Sequence, residues 1–214
     1  SGDILVLAQK IVSKCEGRVV SLEEMTPSAF SLAIARQSGK DPRHVEAILR
    51  ETRRIIKMRG EHLIVQTKQG FVCANAGVDR SNVEKENQLT LLPKDADKSA
   101  ERIRNRLMEL TGGLDVAVIV SDSFGRPWRI GQVDLAIGVS GMKPLRDYRG
   151  EPDMFGRPLS VTILAIADEL ASASELAMNK SDGTPAVIIR GYGYEKGNGG
   201  AKRLRRPDEM DLFI

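Results

Sequence analysis

Five consecutive apolar residues, Val116-Ala117-Val118-Ile119-Val120, constrain this chain more than any other feature. A strand that is apolar at every position must be covered on both faces, so it belongs inside a sheet with material packed on each side. The run leads straight into Ser121-Asp122-Ser123-Phe124-Gly125-Arg126-Pro127-Trp128-Arg129, which reads as a polar loop starting where the strand stops. A second run of the same kind, Ile4-Leu5-Val6-Leu7-Ala8, ends at Gln9-Lys10. Ligands gather where buried strands of this type stop.

Between and after these strands the pattern alternates. Thr26 as N-cap with Pro27 at the first helical position predicts a helix to Gln37, stopped by Gly39. Asp41-Pro42 repeats the start signal and predicts a second helix reaching about Met58. Residues 63–66 and 71–74 flank Gln69-Gly70 as a hairpin, and residues 75–82 follow as a polar loop. Ala100, Ile103, Leu107 and Leu110 recur at helical spacing before Gly112-Gly113. Residues 133–139 read as a strand, 159–178 hold an alanine-rich helix, and 186–189 form a late strand before a glycine-rich, basic tail. Strands and helices mix without a regular βαβ repeat, so the predicted class is α+β.

Composition removes several classes of function. The 32 basic and 29 acidic residues are interspersed, and the net charge of +3 is too balanced for a nucleic-acid footprint. No apolar run approaches the roughly 18 residues of a membrane helix, and no signal-peptide pattern is visible, so a cytoplasmic enzyme without a membrane partner is expected. Cys15 and Cys73 lack metal-ligand spacing and read as small buried thiols. The 214 residues suffice for one large domain or two small interlocked ones. The opening Ser1-Gly2-Asp3 lacks an initiator methionine, from which a missing upstream segment is expected.

Neither a Walker A loop nor a Gly-x-Gly-x-x-Gly turn occurs, so a nucleotide would have to be held by scattered cations and backbone amides around metal-binding carboxylates. Asp122 with Ser123 offers oxygen ligands suited to magnesium or manganese, and Arg126 and Arg129 suit phosphate or carboxylate oxygens. A turn-capping Asp122 with solvated arginines fits the same residues. Asp79 lies in a loop dense in side chains that bond the backbone, and alone it reads as a turn builder. Lys10 and Lys14, near Gln9 and Ser13, could present ammonium groups to phosphate or simply be surface residues. His44 and His62 lack metal spacing, and no histidine-based mechanism is expected. Trp128 suits stacking on a ring or ordinary packing. The loop Met178-Asn179-Lys180-Ser181-Asp182-Gly183-Thr184 is placed to touch phosphate or base, and the cluster at 202–206 is an anion patch or a solvated run.

Three segments taken together carry a resemblance: Asp3-Ile-Leu-Val-Leu-Ala-Gln-Lys-Ile-Val-Ser-Lys14 with Glu16-Gly-Arg18, Asn75-Ala-Gly-Val-Asp-Arg-Ser-Asn-Val83, and Ser121 through Arg129. Gly131-Gln132, Ala136-Ile-Gly-Val139, Ala167-Asp-Glu-Leu170, and Gly183-Thr-Pro-Ala186 with Arg190-Gly191 extend it over nearly the whole chain. In this order they resemble the coenzyme F420-0:L-glutamate ligase family, represented by CofE in archaea and by the N-terminal half of FbiB in mycobacteria.

The resemblance implies an amide ligase that adds L-glutamate to coenzyme F420-0, and then further γ-linked residues to F420-n, through an acyl phosphate. It implies GTP, a divalent cation (Mg2+ or Mn2+) and K+ as cofactors. It assigns Asp79, Asp122 and Ser123 to metal, and Asp79, Asp122, Arg126 and Arg129 to catalysis. Gln9, Lys10, Lys14, Asn82 and the loop Met178, Asn179, Lys180, Ser181, Asp182, Gly183, Thr184 are assigned to nucleotide. It also implies an intertwined homodimer with two interlocked lobes, and a single ligase domain over 1–214 without the family's N-terminal segment or a following nitroreductase-like domain. At Lys180 the chain departs from members that carry an acidic metal ligand there. A related ligase with another carboxylate or amino acid, or a non-catalytic deazaflavin- or nucleotide-binding module, would use many of the same residues.

Overall fold

The two apolar runs become neighbouring strands, β1 (Ile4–Ala8) and β7 (Ala117–Arg126), paired in parallel with Ile4 opposite Ala117 and Leu7 opposite Val120. The structure is a computed structural model and describes residues 2–211. Between these strands run α1 (Gln9–Cys15), β2 (Val19–Ser21), α2 (Ala29–Ser38), α3 (Pro42–Glu51), β3 (Thr52–Arg59), β4 (His62–Thr67), β5 (Val72–Ala74), β6 (Gln88–Thr90) and α4 (Ala96–Leu110). After them come β8 (Arg129–Ser140), β9 (Arg146–Asp147), β10 (Ile163–Leu164), α5 (Ile166–Met178) and β11 (Ala186–Ile189). The class is α+β, as the alternation predicted, and the chain forms two compact units. Among the described residues no helix is long and apolar enough to cross a membrane.

Residues 2–8, 96–123 and 133–208 make the first unit. Its sheet runs β11-β1-β7-β8, with β11 antiparallel to β1. Ile4, Val6, Ala117 and Ile119 meet Ala167, Leu170 and Ala171 of α5 in one buried cluster, which covers one face of these apolar strands. Among the described residues the outer strand β8 is protected by side chains rather than by another strand. Asp168 accepts the Ala136 N–H (2.9 Å), Glu175 accepts the Asp134 N–H (2.9 Å), and the Ser172 hydroxyl donates to the Asp134 carbonyl (2.7 Å). These three lie along one face of α5, at the spacing that stacks side chains on a helix. Burial pushes the Asp168 carboxyl above its usual range, against the pull of the Ala136 amide. Asp97 of α4 adds a fourth bond, to the Val139 N–H (2.9 Å).

Residues 9–95, 124–132 and 209–211 make the second unit. It holds the antiparallel sheet β3-β4-β5, the pair β2-β6 and a core of Leu22, Ile48, Leu63, Val65, Val78 and Leu89. Phe124, near the end of β7, sits edge-to-face with Phe71, ring centroids 6.2 Å apart.

Three boundaries differ from expectation. The first predicted helix starts at Ala29, because Ser28 rather than Thr26 caps it by accepting the Ser31 N–H. Asp41 and Gly39 act as predicted, with Gly39 in the left-handed region at φ 71°. The second helix stops at Glu51 instead of Met58: the stretch carrying β-branched Thr52, Ile55 and Ile56 is drawn into β3 by pairing with β4, and the Thr52 hydroxyl closes the last turn on Ile48. The predicted loop from Ser121 is strand as far as Arg126, continued into β8 by the turn Pro127-Trp128. Polar side chains there hid a strand whose alternation is half polar.

Gly138 of β8 shows how closely α4 lies on the sheet. A Cβ at this position would fall 2.2 Å from the Ala96 carbonyl oxygen, a backbone atom that cannot step aside. Gly138→Ala is therefore expected to cost about 3 kcal/mol or more in urea denaturation, while Gly125→Ala, with nothing within 4 Å of its added Cβ, should stay within about 0.5 kcal/mol of the parent.

Candidate functional site

In the second unit the site builds outward from a turn in unfavourable backbone. Asn75, Ala76 and Gly77 all have positive φ (53°, 55° and 67°), a left-handed run that costs L-residues about 1–2 kcal/mol each. Packing sustains it. Ala76 is 1% exposed, and a Cβ on Gly77 would meet the Leu92 side chain at 2.7 Å, so only glycine fits. The turn delivers Asp79 into a bridge with Thr90 of β6, with N–H to O bonds of 3.0 and 2.9 Å.

Asp79 then gathers one cation, Lys10, and two donors from Ser81. Its Oδ1 accepts the Ser81 N–H (2.8 Å), while its Oδ2 accepts the Ser81 hydroxyl (2.6 Å) and the Lys10 ammonium (2.5 Å). Lys10 also donates to the Ser81 carbonyl (2.8 Å). Burial pushes the Asp79 carboxyl up, but the bonds from Lys10 and Ser81 outweigh it and hold the group below its usual range. Asn82 follows in the left-handed region at φ 50°. Of the other residues assigned near here, Lys14 is exposed, and Gln9 is buried with its Oε1 accepting the Ser13 hydroxyl (2.9 Å). Arg126 folds back on its own hairpin, donating to the Ile130 carbonyl (3.0 Å), and Arg129 is exposed beside Trp128, which is 82% exposed.

The first unit carries a separate constellation around a residue that sequence reasoning missed. Asp134 of β8 is 4% exposed and accepts the hydroxyls of Ser121 (2.8 Å) and Ser123 (2.6 Å) from the neighbouring β7. Ser121 and Ser123 therefore share one face of β7, and strand alternation sends Asp122 to the other. Lys180, just beyond α5, donates to Ser123 Oγ (2.5 Å), approaches Asp134 Oδ1 at 3.4 Å and pairs with Glu175. Burial works against its charge, but the bonds to Glu175 and Asp134 raise the ammonium's pKa above the usual value. The loop after α5 is closed by Asn179, whose amide donates to Asp182 (2.8 Å). Met178 instead packs into the core, Ser181 donates to Asp182, and Gly183 and Thr184 are exposed. The signal for Asp134 was present: an acid between Val133 and Leu135 in an otherwise apolar strand.

Carboxylate and hydroxyl oxygens are donors that suit a hard divalent cation. No group of three or more His, Cys, Asp or Glu side chains is assembled as a metal set among the described residues. A cation at Asp79 or Asp122 would accordingly complete its shell with phosphate oxygens and water, the usual habit of Mg2+ beside nucleotides.

His44 of α3 supports the Asp79 turn through a hydrogen bond with the Val78 backbone, and its Nε2 is buried without a partner among the described residues. Burial first, then the charges of Lys40 and Arg80, pull its pKa below the ordinary 6.5. The folded protein thus resists a proton that the unfolded chain accepts. The stability that a neutral His44 contributes is present above pH 6.5 and is lost as pH falls from there through the depressed folded value. His44→Gln should flatten the stability profile between about pH 7 and 5, removing a slope of up to about 1.4 kcal/mol per pH unit in denaturant titrations.

Comparison with known proteins gives a match to the F420-0:gamma-glutamyl ligase family over residues 1–191. The coenzyme F420:L-glutamate ligase of Methanothermobacter thermautotrophicus is 52% identical over 215 residues, covering 99% of this chain and 84% of its own length. Proteins of the same description are 49% identical in Methanocaldococcus jannaschii, covering 99% of this chain and 84% of their own length, and 47% identical in Methanopyrus kandleri, covering 99% and 85%.

Proposed function

Because this chain belongs to the F420-0:gamma-glutamyl ligase family, we propose that it adds L-glutamate to coenzyme F420-0, and further γ-linked glutamates to the product, at the expense of GTP. The observation that carries this reading is the match to ligases of that description along almost the entire chain.

The reaction runs in two balanced steps. The acceptor carboxylate attacks the terminal phosphorus of GTP; the bond to the GDP oxygen breaks and an acyl phosphate forms. The amine of glutamate then attacks the acyl carbon, an amide bond forms, orthophosphate leaves and the amine proton passes to solvent. A bound divalent cation, Mg2+ or Mn2+ with K+ as a monovalent companion, supplies charge neutralisation for the phosphoryl group.

The chain's own residues bind and orient. Asp79 in the second unit and Asp122 in the first each offer carboxylate oxygens to a divalent cation, and Ser123, on the opposite face of β7 from Asp122, would add its hydroxyl oxygen only where Lys180 gives way. Support for Asp79 comes from its fixed geometry: the Thr90 bridge, Ser81 and Lys10 leave it anionic and oriented. Lys10, Lys14, Arg126 and Arg129 balance phosphate and carboxylate charge. Asn82 and the loop 179–184 contact the nucleotide, with Gln9 and Met178 contributing through backbone groups because their side chains are buried. The chain acts in the cytoplasm as an intertwined homodimer, and the exposed apolar side chains Ile130, Met154 and Phe155 support the association alone.

Mass spectrometry after incubation with F420-0, glutamate, GTP and Mn2+ should show products heavier by one or more glutamyl units. Asp122→Asn should reduce that addition by more than about 100-fold while circular dichroism and melting stay at parental values. Full activity in this variant would remove Asp122 from the reaction.

A further inference from the structure

Three oxygens from three different elements converge on one point in the first unit, and the point is filled by a side chain. Ser123 Oγ of β7, Asp134 Oδ1 of β8 and Glu175 Oε1 of α5 all contact the Lys180 ammonium. We propose that Lys180 is a tethered cation, its ammonium taking the place that a divalent ion would otherwise occupy between Ser123, Asp134 and Glu175.

Each oxygen is held there by a separate bond. Asp134 is clamped by the Ser121 and Ser123 hydroxyls, and Glu175 spends its other oxygen, Oε2, on the Asp134 N–H. One of these bonds, from the Asp134 N–H to Glu175, also protects the edge of β8. Two carboxylates aimed at one partly buried point repel each other unless a positive charge lies between them. Lys180 supplies it.

The backbone is bent to the task. Asn179 ends α5 at φ 51° and ψ −167°, a region that residues with a Cβ seldom enter, and it turns the chain so that the next side chain reaches back over the helix end. Ser123 donates its proton to Asp134 and receives one from Lys180, so its hydroxyl is already engaged on both sides. Asp122 leaves the other face of β7 and is no part of this cradle. A divalent cation at Asp122 and the ammonium at Ser123 are therefore distinct charges, and the chain binds one divalent ion fewer than its oxygen donors would allow.

The test reads metal stoichiometry without nucleotide, glutamate or deazaflavin, so its outcome is independent of the proposed reaction. The full chain and its Lys180→Gln and Lys180→Arg variants are titrated with Mn2+ and free ion is followed by electron paramagnetic resonance, with folding checked by circular dichroism. Lys180→Gln should bind one further Mn2+ per chain, and Lys180→Arg should match the parent. Adding Asp134→Asn to Lys180→Gln should abolish the gain. Equal Mn2+ stoichiometry and affinity in the parent and Lys180→Gln would overturn the proposal, as would a parental Mn2+ site lost in Asp134→Asn alone.

Discussion

The first unit depends on one helix satisfying the exposed edge of one strand. Among the described residues no strand lies beyond β8, and its outward N–H and C=O groups would be costly to leave unpaired under a packed helix. Asp168, Ser172 and Glu175 of α5 and Asp97 of α4 take the place of a neighbouring strand. The arrangement explains why a helix otherwise rich in alanine carries these polar residues on a partly buried side, and Gly138, where α4 touches the strand, has no room for a side chain. It also fixes where Asp134 stands, and through Asp134 the positions of Ser121, Ser123 and Lys180.

The second unit solves a different problem, holding a carboxylate still at the end of a loop. Its solution is a left-handed turn over Asn75 to Gly77 whose conformational cost is offset by burying Ala76 and by wedging Gly77 against Leu92. From there Asp79 is pinned on the main chain by Thr90 and on the side chain by Ser81 and Lys10. Strain of this kind gathers at functional sites, where it orients a group before any ligand arrives.

Both units neutralise their acidic groups in the same way, with a lysine reaching in from a neighbouring segment. Lys10 comes from the helix that follows β1, and Lys180 from the loop that follows α5. In each case the ammonium is partly exposed and its acidic partner is more tightly fixed by hydroxyls and amides. The protein thereby presents pre-oriented anionic oxygens whose repulsion is already compensated. Such an arrangement suits chemistry in which highly charged phosphate groups must approach carboxylates.

Much of this was legible in the residues alone. Uniformly apolar runs at 4–8 and 116–120 read as buried strands, Asp41-Pro42 and Gly39 as helix boundaries, and three ordered motifs spread along the chain resembled one ligase family, to which the chain belongs. These are local properties, set by backbone preference and by the need to hide apolar surface. The tertiary structure alone decided that Ser121 to Arg126 is strand, that Thr52 ends a helix, and that Asp134 and Glu175 meet Lys180. Those outcomes depend on partners far away in sequence: pairing with β4 outweighs helix propensity at Thr52, and a lysine finds its carboxylates only once α5 has been laid along the edge of β8.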